Sequence, residues 1–176
     1  MEWAAVILTG GTARRLGGAD KATLTVGETT LIERSLAAVA QAVEVVVVGD
    51  PLPTSRPVRF TREQPEHGGP AAGVVAGLAA LDAGLVAVLA VDLAFVTAAT
   101  ISRLLAAVGD HDGAVLVADG RRQLALVVRR AALAAVVPAE STGLPMWKLL
   151  APLNLAEVPA VGDEARDIDT WDDLEG

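Results

Sequence analysis

The 176-residue chain contains no cysteine. Disulfides, thiolate zinc sites and cysteine nucleophiles are therefore excluded. Histidine is scarce as well: His67 and His111 are the only two, too few for an imidazole-rich metal centre. Any metal would be held by carboxylates, and oxygen donors favour magnesium over zinc. Aromatic residues make up 3% of the chain although 52% is hydrophobic, so the core must be built from Ala, Val and Leu. No apolar run approaches the ~18 residues needed to cross a membrane. No basic leader ending in small residues precedes the first apolar run, so no signal peptide is expected and the chain reads as cytoplasmic. An excess of positive charge is also missing. The formal net charge is −8, whereas nucleic-acid binders show a basic surface, so no nucleic-acid partner is expected. An acidic protein that binds anions must gather its cations locally.

That raises the weight of a cation cluster near the start of the chain. The apolar run 4–8 reads as a buried strand. It leads into Leu8-Thr9-Gly10-Gly11-Thr12-Ala13-Arg14-Arg15-Leu16-Gly17-Gly18-Ala19-Asp20-Lys21. The glycines allow the backbone to approach a ligand closely. Arg14, Arg15 and Lys21 are interleaved with them. Backbone N–H groups beside fixed positive charge suit a polyphosphate. A solvated strand-to-helix turn with incidental charges is the alternative. The loop is not a P-loop, because Lys21 is followed by Ala22, where Ser or Thr is needed. It is not a dinucleotide fingerprint either, since Gly10 and Gly11 are adjacent.

The order of residues resembles the signature Leu-Ala-Gly-Gly-x-Ser-x-Arg-Met-Gly-x-Asp-Lys of molybdenum cofactor guanylyltransferases, within the wider nucleotidyltransferase family. Leu8, Gly10, Gly11, Arg15, Gly17, Asp20 and Lys21 match it. Thr9 replaces Ala, Leu16 replaces Met, and Thr12-Ala13 shifts the small polar position. The Asp-Lys ending is specific, because cytidylyltransferase relatives more often carry Pro-Lys.

Strand-like runs continue at 44–48, 58–61, 86–91, 114–117 and 124–128. Ile32, Leu36, Val39 and Val43 fall at helical spacing, and Thr30 with Glu33 offers a capping box. Further helical patterns cover 71–83, 100–108 (ended by Gly109), 131–137 and 146–150. The runs 45–48 and 86–91 are continuously apolar. Strands buried on both faces read that way, so the expected fold is α/β: one Rossmann-like domain over residues 1–176, its mostly parallel sheet covered by helices on both faces.

Three further elements fit the resemblance. Asp92 follows the run 86–91, beyond the carboxyl end of a strand, where open sheets bind ligands. In the family this strand ends in Asp-x-Pro and the aspartate holds magnesium; here Ala94 stands where proline is usual, which implies a less rigid turn. A turn or helix cap is the alternative for Asp92. Gly68-Gly69-Pro70-Ala71-Ala72-Gly73 opens a helix. Pro at a first helical position is ordinary punctuation, but the family has Gly-Pro-Leu-Ala-Gly here, facing the purine. Glu63, with Glu66 competing, is the candidate acid for the ring N–H and amine of guanine. Asp167-Ile168-Asp169-Thr170 resembles the family's Asp-x-Asp-Thr element. On a short strand Asp167 and Asp169 would share a face. Asp169 would join Asp92 at the metal, or Asp169 or Thr170 would cap the helix 171–174. Gln123 and Pro145-Met146-Trp147-Lys148 fall where relatives build the acceptor side, although a Met and a Trp more often serve the core.

The resemblance implies transfer of GMP from GTP to the terminal phosphate of molybdenum cofactor (molybdopterin), with release of pyrophosphate. Lys21, Arg15 and Asp92 would be catalytic. Leu8, Gly10, Gly11, Gly17, Lys21, Glu63, Gly69 and Pro70 would hold the nucleotide, and Asp92 with Asp169 would hold Mg2+. Transient contact with cofactor-insertion proteins or molybdoenzymes is implied as well. A sister enzyme using CTP or another phosphorylated acceptor, and a non-catalytic nucleotide-binding module, are the alternatives.

Overall fold

A computed structural model of the chain describes residues 1–9, 20–66 and 68–175. In chain order these form β1 (Ala4–Leu8), a 3-10 turn (Lys21–Thr23), β2 (Thr25–Val26), β3 (Thr29–Thr30) and α1 (Leu31–Ala38). Next come β4 (Val45–Val48), β5 (Arg59–Thr61), α2 (Pro70–Ala79), β6 (Leu85–Ala90) and α3 (Ala98–Ala107). The chain closes with β7 (Gly113–Ala118), β8 (Arg121–Arg129), α4 (Arg130–Val136), α5 (Met146–Leu150), β9 (Leu155–Pro159) and α6 (Trp171–Glu175).

One seven-stranded sheet runs β5-β4-β1-β6-β8-β7-β9, and β2 pairs with β3 apart from it. The pairings of β1 with β4 and β6, of β4 with β5 and of β7 with β9 are parallel. β8 is antiparallel to both its neighbours. The sheet is mostly parallel, as the continuous apolar runs suggest. Alternate residues of one strand serve different cores. Ala5 and Ile7 of β1 pack with Leu31, Ile32 and Leu36 of α1 and Ile101 and Leu104 of α3. Ala4, Val6 and Leu8 pack with Val74 and Leu78 of α2, Leu133 of α4 and Leu149 of α5. Helices therefore cover both faces. Among the described residues no helix is long and apolar enough to cross a membrane.

Several local details differ from the sequence-based expectation. β8 is longer because Asp119 and Gly120, both with positive φ (50° and 72°), make a tight hairpin with β7. This is the Asp-Gly turn that suits the twist of paired strands. β9 escapes the reading because only Leu155 of its five residues is fully buried. α2 ends at Ala79, four residues before the apolar pattern does. The expected α1 capping box is half formed. Thr30 Oγ1 accepts the Glu33 N–H at 3.3 Å, but the Glu33 carboxylate accepts the N–H and hydroxyl of Ser55 instead. The reciprocal box belongs to α3, between Thr97 and Thr100.

Candidate active site

β1, β4 and β6 end side by side, with Leu8 opposite Val48 and Ala90 in register. The site is built at this carboxyl edge. Thr9 is fixed there, its N–H and hydroxyl both donating to the Val48 carbonyl at 3.1 and 2.9 Å. Gly10, Gly11, Arg14, Arg15 and Gly17 lie outside the described residues. The chain is described again at Asp20, whose carboxylate caps the 3-10 turn by accepting the Ala22 N–H at 3.1 Å. This cap sets the backbone from which Lys21 projects.

Lys21 Nζ lies 3.9 Å from Asp92 Oδ2 and 3.8 Å from Asp169 Oδ1. The structure thus brings together Lys21, Asp92 and Asp169, three residues far apart in the chain. Asp92 sits in the turn after β6, and the Val91 N–H before it donates to the Leu8 carbonyl at 3.0 Å. The Asp92 carbonyl accepts N–H groups from Ala94 and Ile168, both at 2.9 Å. Ala94 does not leave the turn loose: a proline in its place would lack the N–H that closes it. Nor is Asp92 a helix cap, since α3 takes its cap from Thr97.

Burial raises the Asp92 carboxyl above its ordinary range. The Lys21 charge opposes that rise, and the charges of Asp167 and Asp169 add to it. Two carboxylates therefore flank one ammonium, and a third, Asp167, adds its negative charge to the surroundings of Asp92. Residues 167–169 are not a strand, but the alternation holds, because Ile168 is fully buried between two more exposed aspartates. The start of α6 is served by Asp173. Its carboxylate accepts the N–H groups of Asp169 and Thr170, both at 2.9 Å, and the Thr170 hydroxyl at 3.1 Å. This N3 acid reaches back to the helix start, whereas the expected cap was the Asp169 or Thr170 side chain accepting N–H groups of the first turn.

Gly69 precedes α2 with a φ of 93°, a conformation that favours glycine, and Pro70 follows as the first helical residue. A Cβ on Gly69 would meet nothing within 4 Å, so the loop faces open space. A Cβ on Gly68 would lie 3.5 Å from Glu63 Cγ, which places Glu63 beside this loop. Glu66 instead pairs with Arg62 at 4.0 Å. Further along the same carboxyl edge, past the ends of β7 and β9, Gln123 and Arg166 line an open groove of about 750 Å³ with Arg121 and Asp163. Met146 packs on the core beside α2. Trp147 does not, being 67% exposed.

Sequence reasoning missed Arg34, Phe95 and Arg166. Both guanidiniums lie over the Phe95 ring, 5.7 and 5.3 Å from its centroid. A single Phe after Asp-Leu-Ala gives no local signal for this arrangement.

Comparison with known proteins agrees with this layout. Molybdenum cofactor guanylyltransferase of Mesorhizobium japonicum is 34% identical over 131 residues, which are 68% of this chain and 62% of that protein. The match therefore spans less than two thirds of the relative's length. Molybdopterin-guanine dinucleotide biosynthesis protein A from Archaeoglobus fulgidus superposes with a TM-score of 0.77 at 22% identity, over 98% of this chain and 95% of the other. Rv0371c of Mycobacterium tuberculosis, solved in complex with manganese, gives 0.76 at 18% identity, over 99% and 97%. The family model of the MobA-like NTP transferase domain matches residues 5–158, and the chain belongs to that family.

Proposed function

We propose that the chain, acting as one domain over residues 1–176, transfers GMP from GTP to the terminal phosphate of molybdopterin. An acceptor phosphate oxygen attacks the α-phosphorus, the bond to the β-phosphate oxygen breaks, and pyrophosphate leaves. No covalent enzyme intermediate is needed. The protein's task is to position the two phosphates and to balance charge. The observation that carries this reading is Lys21 held between Asp92 and Asp169 at the carboxyl edge of parallel strands.

Lys21, with Arg15 from the glycine-rich loop, offsets charge that grows on the α-phosphate and on pyrophosphate. Gly10, Gly11 and Gly17 let that loop approach the phosphates, and Leu8 ends the strand beneath it. Gly69 and Pro70 border the base, and Glu63 accepts the ring N–H and amine of guanine. Asp92 and Asp169 would hold a divalent cation, Mg2+ or Mn2+. Their donor set fits: hard carboxylate oxygens, one raised by burial, in a crowd of like charge. Among the described residues no three acidic or imidazole groups form a ready cage. Magnesium commonly uses one or two carboxylates and takes its remaining ligands from phosphates and water. When bound, it supplies Lewis-acid polarisation of phosphate oxygens.

Calorimetric titration with GTP, CTP and ATP, with magnesium or with chelator, tests the nucleotide side. Pyrophosphate release in the presence of molybdopterin tests transfer. GTP is expected to bind most tightly, by about 1–3 kcal/mol, through the paired hydrogen bonds to Glu63. Equal affinities for GTP and CTP would overturn guanine selection. Nucleotide binding without pyrophosphate release would leave a binding module.

A further inference from the structure

The charged groups of the site come from three stretches of chain. The Ile168 N–H on the Asp92 carbonyl ties the second to the third. Arg34 of α1 ties the first to the second. Its Nη2 donates to the Val26 carbonyl at 2.9 Å, on the β2–β3 hairpin that continues from the Lys21 turn. Its Nη1 donates to the Ala94 carbonyl at 3.3 Å, in the Asp92 turn. The same guanidinium lies over the Phe95 ring, while its Nε is buried without a hydrogen-bond partner. Arg166, over the same ring, reaches the Asp173 carbonyl at 3.4 Å, and the Asp173 carboxylate holds the Asp169 N–H.

We propose that Arg34 is a positioning residue that clamps the Lys21 segment to the Asp92 turn, with Phe95 as the plate on which its guanidinium and that of Arg166 rest. Two divergent carbonyls and a ring face are a site for a planar fork. Lysine keeps the charge and most of the stem, but its compact ammonium cannot reach both carbonyls while staying over the ring. Arg34 is placed to touch protein rather than substrate. It acts on the reaction only by setting where Lys21 stands against Asp92. The inference rests on the transfer reading for its kinetic consequence alone.

The test compares Arg34→Lys with wild type, in the native and in the Lys21→Ala background. In the native background kcat should fall about tenfold or more while KM for GTP stays within about threefold, the pattern of displaced chemistry rather than lost binding. Amide exchange should rise in residues 22–30 and 93–96 and stay unchanged in β7 and β8. In the Lys21→Ala background the same substitution should cost less than about threefold, because the group being positioned is gone. A kcat within threefold of wild type would overturn the clamp. So would a loss that multiplies in full with Lys21→Ala, or a kcat loss with no change in exchange. If the wild type releases no pyrophosphate with any nucleotide, the transfer reading fails on its own. Unchanged exchange in Arg34→Lys would then overturn the clamp, and raised exchange confined to the two segments would support it.

Discussion

Lys21 is 17% exposed, whereas Asp92 and Asp169 are 31% and 47% exposed. The Lys21 side chain is thus the most covered of the three. At 3.8 and 3.9 Å it is ion-paired with both but hydrogen-bonded to neither. On the proposed transfer reading, a cation so placed would turn to the phosphate oxygens of a bound nucleotide. Lys21→Ala should cut kcat by about 100-fold or more, since it removes charge stabilisation that matters most in the transition state. A kcat within about threefold of wild type in a pyrophosphate-release assay would show Lys21 to be a surface residue. Asp92→Asn separates two roles. Asparagine keeps the size and hydrogen-bonding capacity of the turn but brings no charge to a metal. Magnesium-dependent turnover and the magnesium dependence of GTP affinity should both disappear. Thermal stability should hold or rise, because one of three crowded negative charges is removed while Thr97 still caps α3. Near-normal magnesium-dependent turnover in this variant would reject the metal site. All three positions stand at the end of a local pattern (a glycine-rich run, an apolar run, an Asp-x-Asp pair), but it was the family resemblance that singled them out, and Asp169 stayed balanced between metal ligand and helix cap. Arg34 was not singled out at all. Its bond to Ala94 spans 60 residues, and a side chain that binds backbone carbonyls leaves no trace in the pattern of residue types.

At the scale of elements, α2 shows how a glycine's meaning depends on its neighbour. Gly73 and Gly77 face β1 and β4. A Cβ at Gly73 would lie 3.2 Å from Leu8 Cδ2, and one at Gly77 only 2.5 Å from Val6 Cγ1. The helix can lie this close to the sheet because those side chains are missing. Alanine normally improves a helix interior by about 1 kcal/mol over glycine. At Gly77 the clash with a fully buried strand should reverse the sign, for a net loss of about 1–2 kcal/mol. Gly84 is the contrasting case, since a Cβ there meets nothing within 4 Å. Gly84→Ala should be neutral or stabilising by about 0.5 kcal/mol. Urea unfolding of the two variants measures both; a stabilised Gly77→Ala protein would show that α2 can retreat from the sheet. The strands were readable from the same physics. Continuous Val-rich runs mark strands buried on both faces, so β1, β4 and β6 were found almost to the residue. β9, an edge strand with one buried residue in five, carries no such run, and its place was invisible.

For the whole molecule, the question is what keeps the segment after β9 against the sheet, since Asp167 and Asp169 ride on it. Glu164 provides the anchor. Its side chain is 10% exposed and takes both Arg103 terminal nitrogens at 2.7 Å. It also accepts the Thr100 hydroxyl at 2.7 Å and the Val161 N–H at 2.8 Å. The Arg103 hydrogen bonds, helped by those of Val161 and Thr100, hold its carboxyl down at about 2 against an ordinary 4.5, although burial opposes them. The sign follows from linkage. The unfolded chain binds a proton near 4.5 that the folded chain refuses until about 2, so this contribution to stability is complete above 4.5 and is lost as the pH falls through 2. Glu164→Gln removes the charge but keeps the shape, leaving the Arg103 fork with a neutral amide. At pH 7 the variant should be less stable by about 1–3 kcal/mol, the range for losing charge-assisted hydrogen bonds at a partly exposed pair. The gap between wild type and variant should narrow steadily below pH 4.5 and be nearly closed at pH 2, because protonated glutamate and glutamine then offer Arg103 much the same partner. Urea unfolding of both proteins across this range tests the argument. Curves that stay parallel down to pH 2 would mean that Glu164 gains nothing from its charge and that the segment carrying Asp167 and Asp169 is held by its other contacts, among them Ile168 and Arg166.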